Sequence, residues 1–131
     1  DIVVFAMIET KEALDNLDDI LGTPGLDAIY VGPADLCYAL TGRFGFDHTE
    51  PPMYDAIVDI RERAAARGVM PGIHCGSAAY ARRMIELGYR FVTGGSDVHL
   101  MAAGARAAVL EATGHGTSPE APSERQAVGL Y

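Results

Sequence analysis

The chain reads as an α/β protein built on a parallel sheet, in the order β-α-β-α-β-α-β-α. Three features predict this. Four short apolar runs, at residues 2–8, 28–31, 69–73 and 90–93, alternate with segments of helical spacing. The first run, Ile2-Val3-Val4-Phe5-Ala6-Met7-Ile8, is continuous and rich in β-branched residues, as suits a strand covered on both faces. Each run also ends in small or polar residues: Glu9, Gly32-Pro33-Ala34-Asp35, His74-Cys75-Gly76-Ser77 and Gly94-Gly95-Ser96-Asp97.

The elements follow in order. After the first strand, Thr10 is placed to cap a helix with Ala13, Leu14, Leu17, Ile20 and Leu21 on one side and Gly22 as its stop. Thr23-Pro24-Gly25 turns the chain into the second strand, which ends at Gly32-Pro33. Residues 38–52 show no clear period, carry Gly42, Gly45, Pro51 and Pro52, and read as one long connection. A helix then carries Met53, Ala56, Ile57, Ile60 and Ala64 on one face and stops at Gly68. The third strand is weak, because Pro71 cannot donate to a ladder. Ser77 caps the next helix, whose inward side is Tyr80, Ala81, Met84 and Ile85, with Gly88 at its end. The fourth strand runs into Gly94-Gly95 and an Ala-rich helix to about Thr113. Residues 114–131 are rich in Gly, Pro, Ser and Glu and read as a tail or surface arm.

Two architectures accommodate four such units over residues 1–113: half of an eight-stranded (β/α)8 barrel, or a small open doubly wound sheet. The 131 residues are short for a whole barrel, which takes roughly 250. The sequence starts at Asp1 directly in an apolar run, which favours the half-barrel.

Composition narrows the function. At 49% hydrophobic and 21% charged, the chain has the balance of a globular protein. A net charge of −8 with scattered basic residues argues against nucleic acid and anionic membranes as partners. Cys37 and Cys75 share no metal-type spacing and read as buried thiols of a cytoplasmic protein.

In parallel α/β folds the ligand lies beyond the carboxyl ends of the strands. Two consecutive ends carry acids, Glu9 and Asp35, about one βα repeat apart. Two hard carboxylates suit Mg2+ or Mn2+, leaving other octahedral positions to water or substrate oxygens. Taken singly, Glu9 reads as a helix cap and Asp35 as a turn residue; as a pair on neighbouring strands they read equally well as metal ligands. Gly32-Pro33 can aim the amides of Ala34 and Asp35 outward as an anion nest, and Gly94-Gly95-Ser96 can do the same at the far end of a substrate. The single lysine, Lys11, lies at an exposed helix start, so no Schiff-base lysine is visible and a metal Lewis acid is the remaining route to an enolate. His74 ends the third strand and is a candidate pocket residue, whereas His48, His99 and His115 read as solvated. No spacing pairs Ser77, Ser96 or a cysteine with a base.

These residues resemble a known family. Residues 5–13 (FAMIETKEA), 25–36 (GLDAIYVGPADL) and 91–97 (FVTGGSD) are similar to the HpcH/HpaI aldolases, class II pyruvate aldolases typified by 4-hydroxy-2-oxoheptanedioate aldolase. The resemblance covers about residues 2–110. It implies a (β/α)8 barrel of the phosphoenolpyruvate/pyruvate type, with this chain as its second half, strands five to eight. It implies Glu9 and Asp35 as ligands of a divalent ion (Mg2+, Mn2+ or Co2+), and Gly32, Pro33, Ala34, Asp35 and His74 as the substrate-binding residues. The partners implied are pyruvate and small aldehydes, and the implied assembly is a homo-oligomer, a hexamer with the last helix packed on a neighbouring subunit. The implied reaction is aldol addition of pyruvate enolate to an aldehyde, or the reverse cleavage of a 4-hydroxy-2-oxo acid. The family's catalytic histidine and pyruvate-contacting arginine belong to the first half, and no motif here matches them. His74 stands where many members have an apolar residue, and Cys37 where serine is common. The competing expectations are an acyl-CoA lyase of the citrate lyase β-subunit type and a half-barrel subunit without turnover.

Overall fold

Four parallel strands pair in sequence order in the computed structural model, which describes residues 2–114. They are β1 (Phe5–Ile8), β2 (Ala28–Val31), β3 (Met70–Cys75) and β4 (Phe91–Gly94). Six helices accompany them: α1 (Lys11–Asp15), α2 (Leu17–Leu21), α3 (Pro33–Thr41), α4 (Met53–Ala66), α5 (Ala78–Leu87) and α6 (Asp97–Thr113). The order β1-β2-β3-β4 never reverses, so these strands have no topological switch point. The doubly wound arrangement entertained above is therefore not the one adopted. Successive right-handed crossovers in one direction carry their helices to the same face of the sheet.

Burial follows that geometry. Ile8, Val31 and Ile73 stand side by side in the register and are fully buried, as are Ile29 and Cys75. They pack with Leu17, Leu36, Ile57, Ile60, Tyr80 and Met84 from the helices. Each aliphatic side chain so buried contributes about 1.5–3 kcal/mol. Residues of opposite parity, Phe5, Met7 and Phe91, point to the other face and are exposed. With Tyr30 they line an open apolar depression of about 260 Å3. The first strand is thus covered on one face only, and its continuous apolar character comes from an apolar second face.

Local differences from the sequence reading have local causes. The expected first helix is two: Thr10 caps α1 through Oγ1, which accepts from the amide of Ala13 (3.0 Å), but Asn16 separates α1 from α2. The Asn16 side-chain amide donates to the Glu12 carbonyl (2.9 Å), a local bond that competes with helix continuation. The first strand starts at Phe5, because pairing begins where Ala28 lies opposite. β3 runs six residues despite Pro71. β4 first pairs with it at Gly72, one residue later, so the missing amide removes no ladder bond, while the Pro71 carbonyl accepts from Arg90 (2.9 Å). Ile85 faces solvent, unlike its expected inward neighbours Tyr80 and Met84.

The largest correction is α3. The expected unstructured connection from residue 38 is helical to Thr41, because Pro33 occupies the first helical turn and Gly42, at φ 73°, closes the end. The described residues form two compact units, one ending at Gly95 and one beginning at Ser96. The described part of the second is α6, which buries none of its residues. The expected tail, Gly114 apart, lies outside the described residues, as does His115. No described helix is long and apolar enough to cross a membrane.

Candidate functional site

The carboxyl ends of the four strands form one rim. Continuing the register by one residue sets Glu9, Gly32, His74 and Thr93 side by side across it. All four have the parity of the bare face, opposite to Ile8, Val31 and Ile73.

Glu9 does not cap the helix that follows; Thr10 does. Its side chain instead crosses towards β2 and lies over Gly32. A Cβ on Gly32 would stand 2.8 Å from Glu9 Oε2 and 3.1 Å from Glu9 Cβ. Only the bare glycine leaves room for the carboxylate there. Asp35 is the third residue of α3, exposed at the mouth of the same turn. Among the described residues, neither carboxylate has a hydrogen-bond or ion-pair partner. Nor do three or more His, Cys, Asp or Glu side chains gather anywhere among them as a metal cage.

The turn between them is the start of α3. Gly32 is its N-cap and Pro33, buried, its first residue. The first amide used inside the helix is that of Leu36, donating to the Gly32 carbonyl (3.0 Å). No side chain caps this end, so the amides of Ala34 and Asp35 remain open at a positive helix terminus. The other expected nest differs: the Gly95 amide already donates to the Cys75 carbonyl (2.8 Å) and is not open to an anion.

His74 belongs to a polar cluster that the sequence did not reveal. Its Nδ1 lies 2.9 Å from Thr93 Oγ1, which lies 2.6 Å from the Tyr30 hydroxyl; Tyr30 and Nδ1 are 3.4 Å apart. Gly72 makes this possible, since a Cβ there would come within 3.0 Å of Tyr30 Cδ2. Phe46 meets the imidazole edge to face, with ring centroids 5.8 Å apart. Side-chain alternation along β2 and β4 was the available signal for Tyr30 and Thr93; nothing in the sequence marked Phe46.

The loop bearing Phe46 is held to the rim at two points. Asp47 Oδ1 accepts from the Gly76 amide (2.8 Å), and the Tyr80 hydroxyl donates to the His48 carbonyl (2.6 Å). Asp47 adopts a left-handed φ of 56° in doing so. His48 is half-buried, its Nε2 2.9 Å from the Gly45 carbonyl, and is not the solvated residue expected. His99 is exposed, as expected. Beneath the rim Cys75 is buried, and desolvation, with the nearby Asp47 charge, pushes its thiol up to about 12. Lys11 is exposed and pairs with Asp15 on the surface, far from the desolvated setting a Schiff base needs.

Residues 1–104 match the HpcH/HpaI aldolase/citrate lyase family. The chain belongs to that family. It is 41% identical over 111 residues to a hydroxypyruvate/pyruvate aldolase of Rhizorhabdus wittichii, covering 85% of this chain and 44% of that protein. It is also 41% identical over 106 residues to a 4-hydroxy-2-oxo-heptane-1,7-dioate aldolase of Salmonella newport, covering 79% and 39% respectively. Among solved structures, an HpcH/HpaI aldolase/citrate lyase family protein from Burkholderia cenocepacia superposes with a TM-score of 0.79 at 31% identity. That match covers 86% of this chain and 43% of the other. An HpcH/HpaI aldolase from Desulfitobacterium hafniense gives 0.74 at 26%, covering 92% and 46%. The chain thus spans less than half the length of each of these four relatives.

Proposed function

We propose that this chain supplies the metal-binding rim of a carbon–carbon lyase that cleaves 4-hydroxy-2-oxo acids to pyruvate and an aldehyde, or joins them. The observation that carries the reading is the Glu9 carboxylate laid over Gly32, the cap of the α3 start that bears Asp35 and its open amides. Two unpartnered carboxylates on adjacent strand ends are the donor set Mg2+, Mn2+ or Co2+ accepts while keeping positions for substrate oxygens. Glu9 and Asp35 would hold the ion, whose chemistry when bound is Lewis-acid stabilisation of charge on the 2-oxo oxygen.

The chain's own residues do the rest of the positioning. The Ala34 and Asp35 amides donate to the substrate carboxylate at the helix terminus, and Gly32 and Pro33 hold those amides in place. His74, one strand from Gly32 in the same rim row, is read as lining the substrate pocket. The base that moves the methyl proton is not assigned to a residue of this chain.

The bare apolar face of the sheet, with Phe5, Met7 and Phe91 exposed, supports the reading of residues 1–113 as strands five to eight of a (β/α)8 barrel. The exposed Val98, Leu100, Met101 and Val109 of α6 support a homo-oligomer, taken as a hexamer by resemblance. Residues 114–131 are read as a tail or arm, and the compartment as the cytoplasm.

Replacing either carboxylate tests the reading. Glu9→Gln and Asp35→Asn are each expected to lower metal-dependent pyruvate release at least a hundredfold in the enzyme carrying this chain, with secondary structure unchanged by circular dichroism. Full turnover of either variant in chelated buffer would discard it.

A further inference from the structure

The contacts of the His74 cluster bear on which proton its free edge carries. Three contacts join Tyr30, Thr93 and His74 Nδ1, and two hydroxyl protons are available. If Tyr30 donates to Thr93 across the 2.6 Å contact and Thr93 donates to Nδ1 across 2.9 Å, each proton is used once. In the opposite sense Nδ1–H donates to Thr93 and Thr93 to Tyr30, leaving the Tyr30 hydroxyl proton without an acceptor among the described residues. The first arrangement is the one that satisfies both hydroxyl protons within the protein. It makes Nδ1 an acceptor, so the neutral ring carries its proton on Nε2. That nitrogen has no protein partner among the described residues.

Position then gives the donor a use. His74 is one strand from Gly32 and two from Glu9 in the same rim row. Neighbouring strands are about 4.8 Å apart, so an imidazole on β3 reaches a molecule held at the start of α3. Phe46 flanks the ring on one side.

We propose that His74 Nε2–H is a specificity-determining donor that hydrogen-bonds an oxygen substituent on the aldehyde partner, selecting hydroxyaldehydes over alkyl aldehydes of equal size. This rests on the aldolase reading above and names its substrate class. A site built around a hydrogen bond discriminates strongly against the analogue that lacks the group, because its donor is then left unpaired.

The test compares glycolaldehyde with the near-isosteric propionaldehyde as acceptors for pyruvate, in the enzyme carrying this chain and its His74→Leu and His74→Asn variants. Exchange of pyruvate methyl protons with D2O, which needs no aldehyde, is followed alongside. His74→Leu is expected to lower kcat/KM for glycolaldehyde about 10- to 100-fold more than it lowers that for propionaldehyde, any change in exchange being common to both aldehydes. His74→Asn, which keeps a donor, is expected to recover part of the preference. Nitrogen-15 spectra of the imidazole should show the Nε2–H tautomer, and Thr93→Val should shift it towards Nδ1–H. Intact exchange with an unchanged aldehyde ratio, equal loss on both aldehydes, or an Nδ1–H tautomer in the parent protein overturns the His74 role alone. Absence of exchange in the parent enzyme overturns the aldolase reading and this inference with it.

Discussion

Gly32→Ala puts one methyl group where the Glu9 side chain now lies. The backbone tolerates it, since Gly32 sits at φ −94° and ψ 88°, on the negative side open to any L-residue. The whole effect therefore falls on Glu9. Its Oε2, 2.8 Å from the new Cβ, can swing aside, but its Cβ, 3.1 Å away, is tied to the end of β1 and must shift with the chain. Forcing the side chain off its rotamer costs about 0.5–1.5 kcal/mol. If Glu9 is a metal ligand, that cost appears as weaker binding, roughly 2- to 12-fold at about 1.4 kcal/mol per tenfold change. The fold itself should move little, by less than about 1 kcal/mol, because alanine also restricts the unfolded chain. Calorimetric titration of the variant with Mn2+, beside thermal unfolding in chelator, separates the two. Unchanged Mn2+ affinity, or a large loss of metal-free stability with affinity intact, would refute the assignment of this glycine to the site.

Two further outcomes concern the scaffold. Cys75 should resist alkylation at pH 8 in the native protein and react only on unfolding, read by mass spectrometry of the labelled peptide; rapid native labelling would contradict its burial. Its folded value is raised to about 12, so the unfolded thiol loses its proton first and native stability falls as pH climbs from the ordinary thiol range towards that value. Cys75→Ala should flatten this alkaline decline in urea unfolding measured between pH 8 and 10. Tyr89, 1% exposed, donates its hydroxyl to the Ile57 carbonyl at 2.8 Å. Tyr89→Phe should lower unfolding free energy by about 1 kcal/mol in urea titrations with an unchanged slope, and no loss would remove that bond from the account.

The site was legible in unequal parts. Glu9 and Asp35 stood out because an acid directly after an apolar run is a local pattern, and strand ends are where parallel folds keep their chemistry. Missing α3 had an instructive cause. Gly32-Pro33 reads as a turn, yet proline at a first helical position and a glycine nine residues on are equally a helix signature. Weak apolar periodicity from Tyr38 onward hid the helix, because α3 buries only Pro33, Leu36 and Cys37. Pro71 misled in the opposite direction, since its harmlessness depends on where β4 begins.

What the sequence by itself determined was local: the order of strands and helices, the caps at Thr10 and Ser77, the glycine stops, and which acids end which strands. Those depend on propensity and period within a few residues. Only the tertiary structure decided the unreversed strand order, the bare apolar face, the passage of Glu9 over Gly32, and the meeting of Tyr30, His74 and Thr93. Tyr30 and Thr93 are 63 positions apart in the chain. They touch because strand register and the missing side chain of Gly72 bring them together, and register is a property of paired strands that no single segment carries.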